Sequence, residues 1–357
     1  MESSSLVERV ADLLDTRWRP RLNLTTSERD NLLRWDGSDH DHFEAYPVAV
    51  QFPEDRAALW LRHEIRFARR HMIDPSIRVL GVLYDHDTRD HLVFKESFPI
   101  DALDVSRRRF NLGLGDCELT QSGARGQLGA GALRWDLTWE PRRLSTRPLL
   151  FAPLYELGAI PSKVLLPNDN VPVWGEVTAR GRVIRAGEAP AQQAHLWGRR
   201  SPLRWMWARV SAFAHRPDAS LEAALVQELI GDQPSPWILL IRMVYKYKPY
   251  VFVRLLGDLG RAGDRYSLDG WRFSVGRGDL HFSGKIQVKP ADFVGARLED
   301  PDGRERFLHT AAAATTRVEV SRRHGLRFKS EVELEATEQT WFEIAAPEAD
   351  PRVQIAL

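Results

Sequence analysis

Ala194–Phe213 reads AHLWGRRSPLRWMWARVSAF and holds three of the chain's twelve tryptophans, with one histidine and one glycine. Its second half, Leu203–Phe213, has the period of a strand. Leu203, Trp205, Trp207 and Phe213 fall on one face; Met206, Ala208, Val210 and Ala212 fall on the other. Both faces are apolar, so the strand is expected to be covered on both sides. Working outward from it, the rest of the chain is read for further strands and for what they could enclose.

On the N-terminal side, Ala58–Phe67 alternates. Leu59, Leu61, Ile65 and Phe67 share one face, and Trp60, Arg62, Glu64 and Arg66 the other. Ile77–Tyr84, His91–Ile100 and Leu133–Trp139 repeat the pattern, separated by turn sequences such as DHDTRD and GARGQLGAG. On the C-terminal side Trp237–Val253 is the longest run. Trp237, Leu239, Ile241, Met243, Tyr245 and Tyr247 lie on one of its faces. Leu268-Asp269-Gly270-Trp271 carries a hairpin signal, and Asp300-Pro301-Asp302-Gly303 reads as a turn. From Leu326 to Glu335 apolar and charged residues alternate, predicting one dry face and one wet face.

Helical periodicity is confined to the beginning: a short helix after Ser3–Ser5, with Leu6, Val10 and Leu13 in one stripe, and a second over about Thr26–Trp35. Pro141–Asn170 is rich in proline and leucine and weak in strand pattern, so it reads as a connection. The expected architecture is all-β: two consecutive lipocalin-like antiparallel barrels after a short helical segment. Residues 1–170 form the first unit with its connection, and residues 171–357 the second.

Composition bounds the function. The chain has 357 residues, 43% of them hydrophobic and 28% charged, enough for a sizeable core. A net charge of +1 gives no field for nucleic acid. Cys117 stands alone, which excludes an internal disulfide and a cysteine-rich zinc site. The acidic MESSSLVERVADLLDTRW start lacks the pattern of a signal peptide, and no run of about 18 apolar residues spans a bilayer, so a cytoplasmic protein is expected. Asp39, His40, Asp41 and His42 cluster in a loop, but neighbours in a loop rarely converge on one ion, and no metal site is expected. The Asp85–His91 cluster reads as a solvated hairpin tip.

Three stretches carry a resemblance. They are Glu44-Ala45-Tyr46 with RAALWLRHEIRF (Arg56–Phe67); Val173 through GEVTARG to the His195-x-Trp197-Gly198, Trp205-x-Trp207 and Phe213 pattern; and LEDPDGRERFLHTAAAATTRVEV (Leu298–Val320). With these the chain resembles the tocopherol cyclase / carotenoid hydratase (hydroxyneurosporene synthase) superfamily, including its AttH-like members. Glu44-Ala45-Tyr46 stands where carotenoid hydratases carry Trp-Trp-Tyr. The resemblance implies two lipocalin-like barrels with an apolar cavity near their junction. It also implies cofactor-free hydration or cyclisation of an isoprenoid or polyketide-like molecule.

Such chemistry needs a proton donor in a pocket that excludes stray water, and aromatic faces to stabilise a developing carbocation. A desolvated carboxyl keeps its proton toward neutral pH. Glu44, Glu64, Glu176 and Glu228 are flanked by apolar residues and are the candidate acids; Glu64 shares its face with Arg62 and Arg66, which favours a salt bridge. The expected acid is Glu176, Glu228 or Glu44, with His195 assisting as donor or orienting group. Trp174, Trp197, Trp205, Trp207, Tyr245, Tyr247 and Tyr46 are the candidate substrate-binding surfaces. A lipocalin-like carrier that holds a lipophilic ligand without turning it over is the alternative. It would need apolar walls but no buried ionisable group beside the ligand.

Overall fold

The computed structural model describes residues 24–35, 41–68, 73–106, 109–148, 161–256 and 265–357. The helix expected at Ser3–Leu14 and the residues Asp39 and His40 lie outside them. The described chain is almost entirely antiparallel strand, in two large sheets.

The first sheet has eleven strands. Its order is Leu92–Phe98, Ile73–Asp85, Ala57–Ala68, His42–Phe52, Arg182–Gly198, Ser162–Ala179, Leu133–Trp139, Gly123–Leu128, Cys117–Thr120, Asn111–Leu114 and Leu103–Val105. It curls as a half-barrel around a core that includes Leu59, Leu61, Ile65, Val79, Trp135 and Leu137, so the alternation in Ala58–Phe67 points as expected. The second sheet has ten strands and nearly closes. It runs Lys248–Leu256, Trp237–Tyr245, Ser220–Gln227, Arg204–Val210, Arg327–Ala346, Glu305–His324, Leu280–Gln287, Gly270–Arg277 and Arg265–Ser267, with Phe293–Glu299 also on Glu305–His324. Met206, Ala208 and Val210 face its core beside Leu239, Ile241, Met243 and Phe342. This is a two-barrel lipocalin-like fold.

The sheets divide between Gly198 and Arg204, not at the expected 170/171 boundary, which falls inside strand Ser162–Ala179. That strand was hidden because its pairing with Arg182–Gly198 shifts register between Leu165 and Asn168, between Asn168 and Val171, and between Val173 and Trp174. Each shift breaks the two-residue alternation by which a strand is read. Trp237–Val253 is likewise two strands, not one. Lys246 and Tyr247 take φ of 54° and 59°, and this pair of left-handed residues makes the tight hairpin between Trp237–Tyr245 and Lys248–Leu256.

The second predicted helix is shorter than expected, Thr26–Asn31, and starts at Thr25, whose hydroxyl accepts from the Glu28 amide at 3.1 Å. It docks on the first sheet: Ser27 Oγ donates to the Pro167 carbonyl at 2.6 Å, and Asn31 Nδ2 donates to Gln193 at 3.0 Å.

The barrels pack outer face to outer face. Trp60, Leu80, Val82 and Tyr84 of the first meet Leu298, Leu308, Trp341 and Ala345 of the second. Gln51 Nε2 donates to the Ala312 carbonyl at 2.9 Å, and Tyr84 Oη to that of Thr310 at 3.0 Å. The Asp85–His91 turn is part of this seam rather than a solvated tip, because Arg89 bridges to Asp292 and to Glu338, each at 2.9 Å. Of the Leu326–Glu335 face expected to be dry, Leu334 is buried but Leu326 and Phe328 are exposed.

Candidate active site between the barrels

Beside that seam the two outer faces separate and leave a cavity of about 650 Å³. Strand alternation decides which side chains reach it. From the first barrel come Pro47, Ala49, Trp60 and Arg62, with Gln192, Ala194 and Leu196; from the second, Trp205, Trp207, Ala224, Val226 and Leu240. Trp205 and Trp207 therefore leave the core to Met206 and Ala208 and line the cavity. They are half-buried.

Three carboxyls join them: Glu222, Glu228 and Glu343. Burial pushes Glu228 up to about 7, against the pull of a Ser162 Oγ donor 3.0 Å from Oε1. Its Oε2 is buried and has no hydrogen-bond partner among the described residues. The residue is held where its strand gives way to a small hairpin: its amide donates to Ser235 Oγ at 3.0 Å and its carbonyl accepts from the Ser235 amide at 2.8 Å. Burial also pushes Glu222 up to about 7; neighbouring Arg209 opposes the shift and Asp169 adds to it. Its Oε1 accepts from Trp207 Nε1 at 2.5 Å, and its Oε2 from Gln192 Nε2 at 3.3 Å. Glu343 is pushed upward by burial too, and accepts a hydrogen bond from Trp205 Nε1.

Glu222 and Glu343 are absent from the sequence reading, yet a signal existed for the first. Glu222, Ala224, Val226 and Glu228 form one period-two face, so the alternation that carries Glu228 also carries Glu222. Glu343 lies between Phe342 and Ile344, an alternation that does not distinguish it from a polar position facing water.

The other candidates lie elsewhere. His195 alternates with Ala194 and Leu196, so it points away from the cavity into the first barrel. There it is fully buried, with Nδ1 2.7 Å from the Asp30 carbonyl and Nε2 2.7 Å from Glu44 Oε1. Glu44 accepts further from the amides of Arg34 and Trp35, from His42 Nε2 at 2.9 Å and from Tyr46 Oη at 2.7 Å. Burial alone would raise its pKa, but the hydrogen bonds and charges of His195 and His42 outweigh it and hold the carboxyl well below the usual range. Glu44 is thus held toward its ionised form, and with His195 it ties the helical segment to the sheet. Tyr46 is sealed in the same core.

Glu176 is exposed, and Trp174 is 40% exposed on the outer surface. Both follow a register shift that changes which face they take. Trp197 packs between His195 and the Arg34 guanidinium, outside the cavity lining. Tyr245 is in the core of the second barrel, and Tyr247 sits on the hairpin turn, 77% exposed. Glu64 is buried, not on a salt-bridged surface. Burial opposes its ionisation, but Arg78 and Arg62 hold it down to about 2. Among the described residues no cluster of three or more His, Cys, Asp or Glu side chains is placed to hold a metal ion.

No family model matches the sequence, and no curated protein matches it either. Solved structures do. Kievitone hydratase from Nectria haematococca superposes with a TM-score of 0.50 at 9% identity, over 85% of this chain and 88% of that one. A candidate AttH from Nitrosomonas europaea gives 0.50 at 10% identity, over 87% and 93%. The shared property is the fold. Both solved structures share with this chain the two-barrel lipocalin-like fold.

Proposed function

We propose that the inter-barrel cavity binds an apolar small molecule, isoprenoid or polyketide-like, and that Glu228 protonates an alkene in it, leading to hydration or ring closure. The observation that carries this reading is a buried carboxyl with a free oxygen, raised to about 7, in an otherwise largely apolar cavity. A proton on Glu228 Oε2 would pass to one alkene carbon, and the cation left on the neighbouring carbon would be met by water or by a second double bond; the proton then lost from the added water, or from a carbon beside the ring cation, returns to the Glu228 carboxylate. Trp205 and Trp207 supply the π faces beside it. A solved neighbour with this fold is a hydratase acting on kievitone, which agrees with this class of reaction.

A non-catalytic carrier would need the same apolar walls but not the buried acid. The test is to extract and identify by mass spectrometry the apolar compound that co-purifies, then follow its conversion by the wild type and by Glu228→Gln. Conversion that falls about 100-fold or more in the variant, with binding retained, supports the acid. Binding without conversion in either protein supports the carrier.

A further inference from the structure

We propose that Glu343 and Glu222 are positioning residues for the cavity's π surface, each gripping the indole N–H of one tryptophan, Trp205 or Trp207, to fix the ring and enrich it in electrons toward a cation. This rests on the reading that a cation forms in the cavity.

The pairs arise from sheet register. Trp207 lies opposite Glu343 on one neighbouring strand and Ala224 on the other, so Glu343 reaches diagonally to Trp205, and Glu222 diagonally to Trp207. All four side chains line the cavity. An indole has a single donor, which a backbone carbonyl, an amide or water would satisfy. Using a carboxyl half-buried in the cavity wall instead is costly, since loss of water disfavours its charged form. Two such pairs side by side call for something that only a carboxyl provides, which is negative charge. The ionised group makes a charge-assisted bond and polarises the ring it holds. Arg209 and Asp169 are the charged groups nearest Glu222, with Gln192 bridging the two carboxyls and Arg242 pairing with Asp169 at 3.1 Å. Arg62 is the charged group facing Glu343.

Indole N–H resonances of protein labelled with nitrogen-15 tryptophan test this without a substrate, with Trp205→Phe and Trp207→Phe providing the assignments. Both resonances should lie downfield of the other indoles. That of Trp207 should move further downfield as pH rises through about 7, where Glu222 ionises, and stand still in Glu222→Gln, which keeps an acceptor but no charge. A Trp207 resonance that is fixed with pH, or that titrates unchanged in Glu222→Gln, overturns the proposal. With the compound that co-purifies, Glu343→Gln and Glu222→Gln should each lower kcat about twofold to thirtyfold with KM little changed. An unchanged kcat in both overturns the functional half. Titrating indoles together with normal turnover in Glu228→Gln would instead remove the acid reading and leave the pairs standing.

Discussion

Glu44 Oε1 and His195 Nε2 lie 2.7 Å apart, with both side chains fully buried on neighbouring strands of the first barrel. The pair does structural work: its remaining hydrogen bonds reach Asp30, Arg34, Trp35, His42 and Tyr46, closing the barrel over the short helix. Removing the carboxylate takes away the charged acceptor that His195, His42, Tyr46 and two backbone amides share. Glu44→Gln is expected to cost about 3–5 kcal/mol of stability in urea denaturation. A variant as stable as the wild type would contradict this role.

The glycine of the same stretch is fixed by its surroundings. A Cβ on Gly198 would stand 2.1 Å from the Pro161 carbonyl oxygen and 2.9 Å from Ser162 Cα, where two strands meet beside the Glu228 donor Ser162. Backbone cannot yield as a side chain can, so Gly198→Ala should destabilise by about 2 kcal/mol or more and disturb the cavity. Thermal unfolding measures the first effect. A melting temperature equal to the wild type's would show that the strands separate more easily than the packing implies.

Stability should depend on pH in a way set by the cavity carboxyls. Glu222 and Glu228 are raised from 4.5 to about 7, so between these values the folded chain holds protons that the unfolded chain has released. Their burial therefore costs stability progressively as pH rises through that window. Glu228→Gln or Glu222→Gln should gain about 1–3 kcal/mol relative to the wild type on going from acid to alkaline conditions, each difference levelling off above about pH 7. Glu64, held down to about 2, acts in the opposite direction: its contribution is present above 4.5 and is lost as pH falls toward 2. Denaturation midpoints at several pH values check both. A difference between Glu228→Gln and the wild type that does not change with pH would contradict the buried acid.

Trp174 and Glu176 serve as controls. Both are exposed and away from the cavity, so Trp174→Ala and Glu176→Gln should leave stability within about 0.5 kcal/mol and turnover unchanged. Loss of turnover in either would place chemistry on the outer surface instead.

Much of this was legible in the chain. The two-sided apolarity of Leu203–Phe213 reports a strand between a barrel core and a cavity wall. The apolar flanks of Glu228 mark a carboxyl that the structure places on the cavity wall. What misled the reading is local. Register shifts around Pro167 and Pro172 turned a long strand into an apparent linker, and moved Trp174 and Glu176 outward. A hairpin made by Lys246 and Tyr247 carries none of the Asn-Gly or Asp-Gly chemistry by which tight turns are recognised. His195 stands out in the sequence by its place before Trp197-Gly198, and Glu44 chiefly by the family resemblance. Only the alternation of Ala194, His195 and Leu196 across the sheet shows that they face the other way.

The most direct test is the pH profile of conversion of the bound compound by the wild type and by Glu228→Gln. With the wild type, kcat/KM should be highest near pH 7, falling above it as Glu228 loses its proton and more shallowly below it as Glu222 gains one, and the variant should fall about 100-fold or more. A variant that converts the compound at the wild-type rate, with the same fall above pH 7, would take the proton donor away from Glu228.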